Sequence, residues 1–192
     1  MDSNLVEKKL ILNKSLSCHP GSVCTVVRTV HAEVVLQPQG DLKLSYELTG
    51  NLAQIRIPVP QPPVAVNRLW EYTCFEAFVA VEGEAEYHEF NFSPSGQWAA
   101  YAFSDYRVRS AWTVSQGAPV ISFSRTNGHL QLEAVIAAAD LPQNISGKPL
   151  QLGLTAVIEA KDGSRSYWAL HHPEDHPDFH HRAGFILSLN QT

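Results

Sequence analysis

Hydrophobic and polar positions alternate along much of the chain. In the run 41–49 (DLKLSYELT), Leu42, Leu44, Tyr46 and Leu48 share one parity, and Asp41, Lys43, Ser45, Glu47 and Thr49 share the other. That two-residue period belongs to a strand with one buried face. Upstream, Val26, Val30, Ala32, Val34 and Leu36 share a parity broken only by Arg28, and PQGD supplies turn residues between the two runs, which predicts a hairpin. The period returns in QIRI, in HLQLEAVIA through Leu130, Leu132, Ala134 and Ile136, and in LQLGLTAVI through Leu150, Leu152, Leu154, Ala156 and Ile158. Glu82-Gly83, Ser95-Gly96, Asn127-Gly128, Ser146-Gly147 and Asp162-Gly163 punctuate the runs as turns.

Two segments, 74–81 (CFEAFVAV) and 97–103 (QWAAYAF), are apolar at both parities, which predicts central strands covered on both sides. No segment carries a long helical period, and only Ala139-Asp140-Leu141-Pro142 reads as a helical turn. The predicted class is all-β: a two-sheet antiparallel β-sandwich, jelly-roll or immunoglobulin-like, of about ten strands. The proline-rich stretch 58–68 (PVPQPPVAVNR) reads as a rim loop rather than a linker, because the hairpins before it need a partner sheet. The expectation is one ligand-binding domain over 1–192, with 1–20 an unassigned extension.

The length of 192 residues allows burial of roughly 70% of the unfolded surface, enough for a core without metal or disulfide. A formal net charge of -5, with 14 Lys plus Arg thinly spread, argues against nucleic acid as a partner. The start, MDSNLVEKKL, lacks the apolar run of a secretory leader, and no stretch is long and apolar enough to span a membrane. Cys18, Cys24 and Cys74 form an odd set without zinc-type spacing. They are expected as reduced thiols of a cytoplasmic protein, with Cys74 in the core.

Candidate chemistry falls in two segments. In Leu69–Phe103, Trp70, Tyr72, Cys74, Glu76 and Phe78 share a parity, so Glu76 points where apolar neighbours point. A buried carboxylate costs several kcal/mol unless paired, so Glu76 needs a donor such as Arg107 or Arg109, or a ligand. On the next strand His88 shares a parity with Phe90 and Phe92, against Tyr87, Glu89 and Asn91; a core histidine and a ligand contact are both open there. The second segment, 171–184 (HHPEDHPDFHHRAG), holds His171, His172, His176, His180 and His181. Pro173 and Pro177 interrupt the four-residue spacings, so a metal would need ligands from elsewhere. The competing reading is a polar loop capping one end of the sandwich, anchored by Phe179. No G-x-S-x-G, G-x-G-x-x-G, phosphate loop or H-E-x-x-H occurs, and a carboxylate pair such as Glu76 with Glu89 would suit glycoside hydrolysis only at the right separation across strands.

The strand WEYTCFEAFV, the hairpin YHEFNFSPSGQWAAYAF and the late segment YWALHHPEDHPDFHHRAGFIL together resemble the DOMON-like group of β-sandwiches, related to carbohydrate-binding module family 9. The resemblance runs from about Leu44 onward. It implies a jelly-roll-like sandwich with its ligand in a pocket or on a face, the group's ligands being sugars and haem. By position it implies Glu76, Asn91, Trp98, Asp178 and His180 as site residues. Trp70 and Trp168 join them because an indole face suits a sugar ring, and Arg107 and His88 complete the candidate set. Haem fits poorly, since Met1 is the sole methionine and haem would need two histidines, or histidine with lysine. The expectation is a non-catalytic module for a soluble sugar or sugar derivative, without a firmly predicted cofactor. A haem or divalent-metal module, an enzyme and a structural or protein-interaction domain stand as alternatives.

Overall fold

The predicted hairpin is present in the computed structural model, which describes residues 10–115, 117–144 and 147–190. In chain order the strands among these residues are β1 (Leu10–Cys18), β2 (Val27–Leu36), β3 (Leu42–Gly50), β4 (Cys74–Val81), β5 (Tyr87–Phe92), β6 (Trp98–Asp105), β7 (Val108–Ser110), β8 (Val120–Thr126), β9 (His129–Ile136), β10 (Leu150–Glu159), β11 (Arg165–Ala169) and β12 (Leu187–Leu189). Twelve strands exceed the ten expected, and every pairing between them is antiparallel. Short 3-10 turns at Leu52–Gln54, Leu69–Glu71, Ala138–Asp140 and Arg182–Gly184 make up the helical content of the described residues. The third of these is the helical turn read from the sequence. Ser146 of the predicted Ser146-Gly147 turn lies outside the described residues.

The strands form two layers. One runs β8-β9-β3-β2-β1, and the other runs β7-β6-β5-β4-β10-β11 with β12 also on β10. β1 belongs to both: its body pairs with β2, while Ser17 and Cys18 pair with Ala169 and Trp168 of β11. The sequence left residues 10–18 unassigned because Lys14 interrupts the parity of Leu10, Leu12, Leu16 and Cys18. Backbone pairing on both layers supplies what that weak pattern does not.

Between the layers lies a core to which Leu42, Leu44, Tyr46, Leu48, Leu130, Leu132, Ala134 and Ile136 contribute from one side. Phe75, Ala77, Val79, Phe90, Phe92, Leu150, Leu152, Leu154, Ala156 and Ile158 contribute from the other. Tyr46 crosses the interface, its hydroxyl donating to the Glu76 carbonyl at 2.6 Å. Of the two predicted two-sided strands, β4 is buried at every position. β6 is buried only in part because just the short β7 lies outside it.

Cys18 and Cys24 are joined in a disulfide, and Cys74 alone is a free, buried thiol. This corrects the expectation of three reduced thiols. The spacing of six residues lets a turn fold Cys24 back on the end of β1, and the ground for expecting a reducing compartment falls with it.

Candidate ligand-binding site

The second layer has a second face. Residues on β4, β5, β6 and β10 that alternate with the core set point away from it: register aligns Thr155, Glu76, Asn91 and Ala99 in one row and Gly153, Phe78, Glu89 and Tyr101 in the next. Two segments cover this face. The rim loop descends through the Leu69–Glu71 turn, which Leu69 anchors against Cys74 and Ala99. Residues 171–186 cross the other side, where Phe185 packs with Phe78, Ala80, Tyr87 and Phe103, and Phe179 lies against them. Between these covers is a cavity of about 440 Å³ lined by Trp70, Glu76, Phe78, Glu89, Tyr167 and Phe179, with Glu71, Phe103, Arg107, Arg109, Val157, Arg165, Pro177 and His180 completing its walls. It lies on the face of a sheet, one of the two placements that the resemblance implied.

Glu76 is the central anomaly. It is 2% exposed, its Oε2 has the Thr155 hydroxyl at 3.4 Å, and its Oε1 is buried without a hydrogen-bond partner. Neither expected arginine reaches it. Arg107 ion-pairs with Asp178 at 2.8 Å, and Arg109 stacks over the Tyr101 ring at 3.8 Å. Burial, reinforced by the nearby Glu89 carboxyl, pushes Glu76 well above the usual carboxylate range. Glu89 is also raised by burial, opposed by its hydrogen bond from Asn91 and by the charges of Arg109 and Arg107. Asn91 Nδ2 donates to Glu89 Oε1 at 2.6 Å.

One wall is a hydrogen-bonded relay. The Tyr87 hydroxyl accepts from the Arg107 backbone N–H at 3.0 Å and shares a hydrogen bond with His180 Nδ1 at 2.8 Å. His180 Nε2 is 3.6 Å from Glu89 Oε2. Burial and the charge of Arg107 lower His180 to about 4, so its ring is neutral at pH 7. Asp178 holds this wall to the β6–β7 turn. It accepts from the Tyr106 hydroxyl at 2.6 Å, Arg107 Nη2 at 2.8 Å and the His180 backbone N–H at 3.1 Å. Burial works to raise Asp178, but these bonds outweigh it and hold the carboxyl below its ordinary range. Arg107 occupies the left-handed region at φ 57, a strained conformation kept where both sides of the turn are tied down.

Of the sequence-derived candidates, Trp70, Glu76, Arg107 and His180 line the cavity, while Asn91 and Asp178 sit behind them as partners of Glu89 and Arg107. Trp70 stands on a 3-10 turn, not at the start of a strand as its parity implied. His88, Trp98 and Trp168 are not brought to the cavity. His88 Nδ1 pairs with the Asp140 carbonyl at 2.8 Å, and its ring lies against Trp112. Trp98 aligns with Phe92, and Trp168 aligns with Ala156 and joins the core between the layers. Strand parity explains the last displacement: Tyr167, one residue earlier, faces the cavity in its place. Arg165 and Tyr167 were missed because RSYW is short, yet their shared parity against Trp168 was readable.

The histidine-rich segment disperses its rings. His172 Nε2 donates to the Ser17 carbonyl at 2.9 Å, and His181 lies 3.3 Å from Glu174. Among the described residues no group of three His, Cys, Asp or Glu side chains could hold a metal ion. Haem does not fit either, because His180 is the one histidine on the cavity wall and its ring nitrogens face Tyr87 and Glu89. Among the described residues no helix is long and apolar enough to cross a membrane.

These features define a β-sandwich with a recess on the outer face of one sheet. No family model and no curated protein matches the chain. Among solved structures it is similar to a Bacteroides uniformis protein to which carbohydrate binding is provisionally attributed, at 19% identity and a TM-score of 0.64, over 93% of this chain and 86% of that one. Two structures of a carbohydrate-binding module family 9 protein from Caldicellulosiruptor kristjanssonii, one with cellotriose and one with glucose, also match. Both are 11% identical, with TM-scores of 0.47 and 0.45, over 83% and 81% of this chain and 72% and 74% of theirs. The first likeness shows the fold.

Proposed function

We propose that this chain is a non-catalytic module that binds a soluble sugar or sugar derivative in the cavity on the outer sheet face. The observation that carries the proposal is Glu76: a buried carboxyl with an unpartnered oxygen in a cavity walled by Trp70, Tyr167 and Phe179. An unpaired buried polar atom costs about 1–3 kcal/mol, and a ligand hydroxyl offset that cost. Sugar recognition needs this combination of aromatic faces for ring carbons and fixed polar groups for hydroxyls. Carbohydrate binding attributed to the Bacteroides protein accords with it. At ordinary ligand efficiency a disaccharide reaches micromolar affinity, roughly 7–8 kcal/mol.

The test is a titration of tryptophan fluorescence with neutral and acidic mono- and disaccharides. Binding that disappears in Trp70→Ala and persists in Trp112→Ala supports the site. Saccharides that leave fluorescence and melting temperature unchanged sink it. The raised Glu76 and Glu89 carboxyls also favour a second reading, glycoside hydrolysis, with a protonated Glu76 as general acid. Turnover of aryl glycosides that Glu76→Gln abolishes establishes that reading in place of the first.

A further inference from the structure

We propose that the saccharide bound on this face carries a protonated amino group, seated between Glu76 and Glu89 on the cavity floor. The inference rests on the sugar-binding reading and narrows it to amino sugars. Both carboxyls come from the sheet beneath the cavity, Glu76 from β4 and Glu89 from β5, and both line it. Register sets Glu76 opposite Asn91, so Glu89, two residues along β5 on the same face, is its diagonal neighbour, a separation that long side chains span. They are 2% and 4% exposed. Two carboxyls so placed disfavour each other's charge, and a cation between them removes that cost.

The protein itself supplies no such cation. Among the described residues no lysine or arginine lies within salt-bridge distance of either carboxyl. Arg107 is turned to Asp178 and Arg109 lies over Tyr101, so both favour the charge of Glu89 only from a distance. Arg165 stands two strands from Glu76 and four residues off its row. His180 Nε2 is 3.6 Å from Glu89 Oε2, beyond an ordinary hydrogen bond, and its ring is neutral at pH 7. What the carboxyls accept is neutral: Asn91 Nδ2 at 2.6 Å on Glu89, and the Thr155 hydroxyl at 3.4 Å on Glu76, whose Oε1 has no partner. Among the described residues no third ligand joins them to hold a metal ion, so the cation that fits is organic.

An ammonium brings three donors and a full charge to both carboxyls, where a hydroxyl brings one donor and no charge. Trp70, Phe78 and Tyr167 wall the same space, and aromatic walls attract a cation as well as covering ring carbons. Arg107, Arg109 and Arg165 are exposed, so water weakens their repulsion of the ligand far more than it weakens the pull of two buried carboxyls. The arrangement has a pH signature. Burial pushes both carboxyls up, Glu76 further through Glu89, and in acid they hold protons that an ammonium displaces. Of the other groups around them, Glu71 is paired with Arg68, burial lowers His180 to about 4 and pushes Tyr87 up to about 12, Asp178 is held below its ordinary range and the Cys74 thiol is pushed up. Guanidiniums keep their charge. From about pH 5 to about pH 6.5 the preference for an amine therefore rises as Glu76 and Glu89 give up their protons to the pairing.

The experiment is calorimetric titration of the whole chain, at low salt and about pH 6.5, with glucosamine against glucose, galactosamine against galactose, and 6-amino-6-deoxyglucose against glucose. Each pair exchanges an ammonium for a hydroxyl, and N-acetylglucosamine keeps the nitrogen while removing the charge. An amine that binds about tenfold more tightly than its parent sugar, a margin that N-acetylglucosamine does not share, supports the inference. That margin should shrink at about pH 5 and fall below about threefold in Glu76→Gln and in Glu89→Gln. Thermal melts confirm that both variants fold. Equal affinity within all three pairs, a margin unchanged in acid, or one that survives in either variant overturns the inference and leaves the sugar reading standing. Failure of every saccharide, charged or neutral, overturns the sugar reading and this inference with it.

Discussion

Glu76 shows how one side chain couples stability to binding. Its folded-state acidity is weakened by burial and by Glu89, so folding takes up a proton there. That contribution is fully present below the unfolded carboxyl's range and is lost as pH rises toward the folded value. Glu76→Gln is therefore expected to raise the melting temperature above that of the parent at pH 8 and to leave it nearly unchanged at pH 4. A melt that responds equally at both values removes the buried proton from the account. His180 has the opposite sign. Its folded value of about 4 lies below the ordinary 6.5, so its contribution is present above 6.5 and is lost as pH falls through 4. The loss is bounded at about 3 kcal/mol. Denaturant titrations of His180→Phe should show a smaller fall in stability between those pH values than the parent shows. The burial of Glu76 was readable from parity alone, and its lack of an arginine was not. The direction of Arg107 is set by a left-handed turn and by Asp178, some 70 residues away in sequence.

At the scale of elements, the wall formed by residues 171–186 depends on the loop closed by Cys18 and Cys24. His19, inside that loop, accepts from Gly21 N–H through Nδ1 at 3.0 Å and donates from Nε2 to the Glu174 carbonyl at 3.2 Å. His172 reaches back to Ser17. Opening so short a loop costs about 2 kcal/mol on the chain-entropy account. Reduction, or Cys24→Ser, should lower the urea midpoint accordingly and weaken ligand binding through the loosened wall. Unchanged stability under reductant would show that the bridge does not form. Gly153 is the other dependence of this wall. A Cβ there would stand 2.9 Å from Phe185 Cδ1, so Gly153→Ala should destabilise by about 1–3 kcal/mol, although alanine is ordinarily better than glycine within a strand. Equilibrium unfolding measures the sign. The strands themselves were legible wherever alternation was strong, in β2, β3, β9 and β10. The cover was not, because its loops follow no period and are placed by Leu69, Phe179 and Phe185 docking on a sheet that must form first.

Across the whole molecule, the inner and outer faces of the larger layer divide the work. The inner face joins the two layers, and Tyr46 carries that contact to the backbone under the cavity. Tyr46→Phe strands a buried carbonyl and should cost about 1–3 kcal/mol, or roughly 2–4 °C in melting temperature per kcal/mol. Calorimetry of the variant tests this, and an unchanged melt would mean that the hydroxyl contributes nothing. The sequence by itself determined the all-β class, the main hairpins, the buried position of Glu76 and the separation of His88 from Glu89 across a strand, because a two-residue period assigns each side chain to a face without reference to any other strand. Tertiary structure alone decided that Arg107 pairs with Asp178 and that Arg109 stacks on Tyr101, so that neither reaches Glu76. Those outcomes depend on which strands become neighbours and where loops fold back, and such long-range choices come from packing the two faces of the sheet, not from any local pattern.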